Sequence, residues 1–191
     1  MNKAVEQAAE DDVVYGYSGG YISYANQPGV SNAHVFSWAG KPWLTQYWVR
    51  RVRAQAYGAV TPDRGYGGHD EDQGQMRGIS ALMAIGLFSL TGNVDQNPSY
   101  EITSPIFDRI EITLDDRYYE KGKFIIQTYH NSAGNCYIRQ ARLNGKPLHD
   151  FRFSHADFSK GGLLELWMGP EPAKKWGIFP KKRSPRPVNQ R

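Results

Sequence analysis

The stretch GYGGHDEDQGQM, residues 65–76, sets Asp70, Glu71 and Asp72 in a row directly ahead of an apolar segment. Three chemistries fit acids so placed: a cradle for a divalent cation, a pair of carboxylates working on water, or the capped start of a helix. An EF-hand is excluded. Its loop needs oxygen ligands at alternate positions and a bidentate Glu at position twelve, whereas counting from Asp70 puts Gly74 fifth and Ala81 twelfth. Capping accounts for much of the pattern. Asp72 and Gln75 have the spacing of a capping box, and carboxylates ahead of a helix are stabilised by its positive dipole end. Yet adjacent acids repel one another, and two would cap the helix adequately. Asp70 and Asp72, two apart in a non-helical approach, can face one side and jointly hold a water or touch a cation. A helix N-terminus lowers carboxylate pKa values, so both stay ionised. That suits a general base or calcium ligand and does not suit a general acid.

Upstream, YISYANQPGVSNAHVFSWAGKPW places Tyr21, Tyr24, Phe36, Trp38 and Trp43 near Asn26, Gln27, Asn32 and His34. Aromatic faces stack on the apolar faces of sugar rings, and side-chain amides bond hydroxyls in pairs. Taken singly, each of these aromatics is more often core than ligand, and His34 more often a satisfied structural histidine than a site residue.

The elements that must position these residues fall into two kinds. SNAHVFSWAG predicts a helix with Ser31 as N-cap and Gly40 as its end. KPWLTQYWVRRVRAQAYG predicts a second, with Pro42 in the first turn and Gly58 just past the last. Its apolar residues Trp43, Leu44, Tyr47, Trp48, Val52 and Tyr57 make a wide amphipathic stripe. A third helix is predicted from about Asp72 to Leu90, apolar on nearly all sides and therefore packed on more than one face. After TGNVDQNPS the period changes to two. RIEITL, KFIIQTYH, CYIRQARL and LLELWM read as strands separated by turns such as Asn144-Gly145 and Gly161-Gly162. The expected fold class is α+β: helices first, then a small antiparallel β-sandwich or sheet. Three helices and a stub close poorly on themselves, so the helical half is expected to belong to something larger.

The 191-residue chain is long enough to bury a real core, and its composition is globular. Its net charge of +4 misleads, because seven basic residues lie after the last acid, Glu171, and the remainder is net acidic. The basic character belongs to a Pro-rich tail, residues 179–191, expected to be disordered. No recognition helix or aromatic-basic platform accompanies it, so no nucleic-acid partner is expected. Cys136 is alone, which excludes an internal disulfide. GISALMAIGLF is too short to span a bilayer, so no membrane partner is expected. MNKAVEQAAEDD is acidic where a signal peptide is basic and then apolar.

NQPGVSNAH, WAGKPWLTQYWVRRV, DEDQGQM ahead of ALMAIGLF, YEITSPIFDRIEI, ARLNGKP and GGLLELWMGPEPAKKWG occur in the order seen in glycoside hydrolase family 92. The sequence resembles that family over roughly residues 15–177. The resemblance implies an exo-acting, calcium-dependent α-mannosidase acting on mannose-containing glycans, secreted or periplasmic at full length. It implies that residues 1–92 are the last helices of an (α/α)6 barrel with the catalytic-base turn, and that residues 93–178 are the β-rich region closing it. It further implies an inverting mechanism, in which one carboxylic acid protonates the leaving oxygen and an opposing carboxylate activates water. Asp72 would be the base, with Asp70 helping to orient the water. Asn26, Gln27, His34, His69 and Trp38 would contact substrate, and Gln27 and Asp72 the calcium. The family's general acid is a glutamate upstream of the NQP block, so the chain alone is expected to be inactive and to need an N-terminal partner portion. The rival expectation is a carbohydrate-binding or assembly module without catalysis.

Overall fold

A computed structural model describes residue 24, residues 27–58, 74–119 and 122–178, with the backbone alone at 27 and 28. The helical part opens with two four-residue helices, α1 (Gln27–Val30) and α2 (Val35–Trp38), separated by turns at 31–34. Ser31 therefore caps no helix, and His34 stands at the N-cap of α2 without a side-chain cap. The expected end at Gly40 is found. Lys41 N bonds Phe36 O at 2.8 Å and Gly40 N bonds Ser37 O at 3.1 Å, while Gly40 has φ +73°. This is a Schellman motif, which a left-handed residue must close.

Helix α3 (Pro42–Ala56) carries Pro at its N-terminus and is followed by Tyr57 and Gly58. Its buried side includes Trp48, Val49, Val52 and Ala56, but also Thr45 and Gln46, which hydropathy assigns to solvent. Both are bonded. The Thr45 hydroxyl accepts from Ser37 N at 3.0 Å and donates to His34 O at 3.3 Å. The Gln46 carbonyl accepts from Ile138 N in the sheet at 3.0 Å.

Helix α4 (Gln75–Ile85) is shorter than the expected 72–90 span at both ends. Gly74, with φ +92°, is its N-cap, and the capping box expected of Asp72 falls outside the described residues. Gly86 turns left-handed at φ +75° and ends the helix. A Cβ there would lie 2.6 Å from Pro105 Cδ and N, so the close approach admits only glycine. Beyond it Leu87–Phe88 form β1, a strand within the run expected to be helical.

The β part forms two sheets. In the first, β1 pairs with β2 (Ser99–Ile102), which pairs with β7 (Arg152–Ser154), all antiparallel. The second has five strands in the order β3 (Arg109–Leu114), β4 (Gly122–Tyr129), β8 (Gly162–Gly169), β5 (Tyr137–Leu143), β6 (Lys146–Pro147). The expectation of a purely antiparallel sheet is corrected at one pair: β4 and β8 run parallel. After β7 and α5 (His155–Ser159), the chain enters the sheet between β4 and β5, and that path admits β8 only in the direction of β4. The β5–β6 hairpin turns at Asn144 (φ +51°) and Gly145 (φ +77°), the signs a type I′ turn requires.

Two cores result. One gathers Tyr24, Val30, Phe36, Trp48, Val52, Met76, Met83 and Phe88 between the helices. The other lies between the sheets, where Phe124 of β4 stacks on Phe153 of β7 at 5.3 Å and 4°. Alternate residues Ile126, Ile138, Leu164, Leu166 and Met168 complete it. Each such side chain contributes about 1.5–3 kcal/mol by leaving water. Leu87 and Phe88 are neighbours in β1 but enter different cores, because strand residues alternate in direction.

Candidate functional site

Described residues that lie before and after the acidic stretch in sequence meet in one buried cluster. Tyr57, at the C-cap of α3, donates its hydroxyl to Tyr24 O at 2.7 Å and lies 4.0 Å from the sulfur of Met76 in the first turn of α4. Tyr24 and Met76 are fully buried and Tyr57 nearly so. Burial raises the pKa of both tyrosines well above the ordinary value, so both stay protonated. Tyr24 stands two residues before Asn26, Met76 four after Asp72, and Tyr57 holds the two together. Helix α1 also packs on α4. Asn26, His69, Asp70 and Asp72, and the side chain of Gln27, lie outside the described residues.

His34 and Trp38 are held instead by residues that follow α4. His34 is wholly buried and stacks on Phe88, with ring centroids 3.6 Å apart and planes 13° off parallel. Neither ring nitrogen has a hydrogen-bond partner among the described residues. Desolvation lowers its pKa to about 3, so the imidazole is neutral at physiological pH. Trp38 is 39% exposed. Its indole N–H donates to Glu101 Oε1 at 2.7 Å, its ring meets Phe151 edge-on, and the Arg152 guanidinium lies 4.7 Å from the ring centroid. The indole is thus fixed in place while keeping an exposed surface.

Glu101 is the residue that sequence reasoning left without a role. It sits in β2 at 1% exposure, accepting from Trp38 and, at 2.8 Å, from Leu90 N. Its pKa is raised by burial, against the pull of those bonds and of Arg152. Nothing in the period-two pattern of YEITSP marks it, since Glu101, Ile102, Thr103 and Ser104 are all buried in succession.

Among the described residues, no group of three or more His, Cys, Asp or Glu side chains converges in a way that could hold a metal ion. Glu111 and Asp115 are exposed and paired with Lys123, Arg109 and Arg117. Their carboxyls are held below the ordinary range by those bonds, Glu111 at about 2.

The model of the glycosyl hydrolase family 92 catalytic domain matches residues 1–170. The chain belongs to glycosyl hydrolase family 92. A family 92 inverting mannosidase from Bacteroides thetaiotaomicron VPI-5482 superposes with a TM-score of 0.70 at 31% identity, over 82% of this chain and 20% of its own. An α-mannosidase of the same species superposes at 0.74 with 22% identity over 84% of this chain and 20% of its own; it was solved with mannoimidazole and shows likeness of fold. A protein of Arthroderma benhamiae named as an uncharacterized secreted glycosidase is 28% identical over 166 residues, 85% of this chain and 20% of that protein. The chain therefore spans about one fifth of the length of these relatives. No helix among the described residues is long and apolar enough to cross a membrane.

Proposed function

We propose that this chain is the base-bearing portion of an inverting, calcium-dependent α-mannosidase that removes terminal α-linked mannose from glycans. The observation carrying this reading is the family match over residues 1–170, together with the 31% identity to an inverting mannosidase. In this reading residues 1–92 contribute the last helices of an (α/α)6 barrel, residues 93–178 the β-region behind them, and residues 179–191 a basic tail.

Asp72 takes the proton of the attacking water and Asp70 orients that water. Asn26, Gln27, His69 and Trp38 contact the sugar, Trp38 through the surface left exposed by its Glu101 and Arg152 contacts. His34, neutral and stacked on Phe88, supports the wall that carries Trp38. Gln27 and Asp72 offer oxygens of the kind a hard cation takes. Bound calcium supplies a positive charge that orients and polarises mannose hydroxyls. The hub of Tyr24, Tyr57 and Met76 keeps the two loops from drifting apart, which matters because misplacement of about 1 Å can cost a hundredfold in rate.

Inversion needs carboxyls about 6.5–9.5 Å apart on opposite faces of the sugar. Asp70 and Asp72 share one turn and serve one face. Glu101 is bonded to Trp38 and Leu90, and Glu111 and Asp115 to surface cations. The family resemblance implies that the general acid is a glutamate upstream of the NQP block, in the length of the family that this chain does not span. The test is an assay on an aryl α-mannoside with calcium, using the chain alone and mixed with the complementary part of a family 92 enzyme. Turnover only in the mixture is expected; robust turnover by the chain alone would refute the division of roles.

A further inference from the structure

The C-terminal half of α3 carries three arginines, Arg50, Arg51 and Arg53, around a cavity of about 340 Å³. Tyr47, Ala54, Ile106, Ala133 and Cys136 are the other described residues that line it.

Arg50 is consumed by the fold. Its Nε donates to Ser104 O at 3.0 Å and Oγ at 2.9 Å, its Nη1 to Ser132 O at 3.4 Å, and its Nη2 to Pro105 O and Asn131 Oδ1. Those acceptors are neutral, so the charge stays uncompensated. Arg51 is steered and not consumed: Nη1 donates to Tyr47 Oη at 3.0 Å, and the guanidinium lies 5.9 Å from the Trp48 ring centroid. The Nε atoms of both Arg51 and Arg53 are buried and have no hydrogen-bond partner among the described residues. Elsewhere three of the described arginines pair with acids, Arg109 with Glu111, Arg117 with Asp115 and Arg152 with Asp150. Around this cavity none of the described ion pairs forms. Those Nε atoms expose no surface to the cavity, and an oxyanion entering it would take charge-assisted hydrogen bonds from the terminal Nη groups.

The lining also selects among oxyanions. A planar carboxylate has two oxygens, matching guanidinium forks in pairs. Its carbon stem can lie along Ile106, Ala54 and Ala133. Phosphate would press further oxygens against that apolar wall, where nothing donates to them. We propose that this cavity is a carboxylate-binding site, with Arg51 and Arg53 as its donors and the aliphatic wall taking the stem of an organic acid or an acidic side chain. The inference is independent of the mannosidase reading.

The test is isothermal titration of the chain with sodium glutarate at constant ionic strength. Saturable binding is expected, weakened about tenfold or more in R51Q/R53Q. R51K/R53K, which keeps charge and loses the forks, should fall between the two. Circular dichroism of each variant checks that it is folded, and should either double variant misfold, the single variants R51Q and R53Q take its place. A second arm uses acetyl-Gly-Glu-Gly-amide against its Gln counterpart. Binding of the Glu peptide assigns the site to an acidic side chain; binding of glutarate alone assigns it to a free organic acid. Three results would overturn the proposal: no saturable binding of either probe, unchanged binding in folded R51Q/R53Q, or inorganic phosphate binding as tightly as glutarate.

Discussion

His34 and Glu101 are buried titratable groups that pull stability in opposite directions with pH. The folded chain keeps His34 neutral down to about 3, whereas the unfolded chain takes up that proton near 6.5. Stability contributed by the neutral ring is therefore complete above about 6.5 and is lost as pH falls towards 3, at up to about 1.4 kcal/mol per pH unit. Glu101 has the reverse sign. Its folded pKa lies above the ordinary 4.5, so ionisation costs stability as pH rises through that interval, and the cost persists at neutral pH. His34 carries the larger displacement and should dominate below pH 6. Substituting His34→Phe keeps the stack on Phe88 and removes both unpaired nitrogens; urea melts between pH 4 and 7 should show a flatter stability profile than the parent. For Glu101 two substitutions separate charge from bonding. Glu101→Gln retains an acceptor for Trp38 and Leu90 and should be neutral to stabilising at pH 7, the difference fading below 4.5. Glu101→Ala leaves both N–H groups without that acceptor and should cost about 1–3 kcal/mol. A Gln variant as damaged as the Ala variant would show that the charge itself is required. His34 already reads as a structural histidine in the sequence, whereas the burial of Glu101 was not legible, since a residue type does not announce which strand will cover it.

At the scale of elements, Gly86 decides how the apolar run ALMAIGLF is divided. Its residues are apolar on every face, so a helical period and a strand period fit equally well, and the run was read as one helix. The left-handed glycine breaks it, turns Leu87 into the sheet core and Phe88 into the helical core, and brings Gly86 O to Thr103 N at 2.9 Å. Gly86→Ala meets Pro105 as well as the left-handed penalty of about 1–2 kcal/mol. A thermal melt should show a loss larger than that penalty, whereas Gly78→Ala, where an added Cβ meets nothing within 4 Å and lies inside α4, should be neutral or stabilising. The strands and their turns were readable because alternation and Asn-Gly are local signals. The parallel β4–β8 pair was not, because its partners are related by the path of the intervening chain and not by a turn motif. Gln46 was hidden for a similar reason: its acceptor duty to Ile138 spans 92 residues.

At the scale of the whole molecule, the helical and β parts are tied by Gln46 to Ile138, Trp38 to Glu101 and Arg50 to the Ser104–Pro105 segment. The β part thus braces the helices that flank Asn26, Asp70 and Asp72 in sequence. Six sequence blocks in family order were enough to name the family. They did not reveal which side chains hold the site rigid, because such residues act through burial and distant partners. The proposed chemistry puts its test on Asp72 in the mixture of this chain with the complementary part of a family 92 enzyme. If Asp72 is the base, Asp72→Asn should lower kcat by about a hundredfold to ten-thousandfold, with KM changed far less. Azide, a nucleophile that needs no deprotonation, should restore turnover and give the inverted glycosyl azide. Asp70→Asn, removing only help in orienting the water, should lie at the low end of that range and respond weakly to azide. Equal losses in both variants without azide rescue would instead mean that the pair serves the cation or the fold, and the base would have to be sought outside this turn.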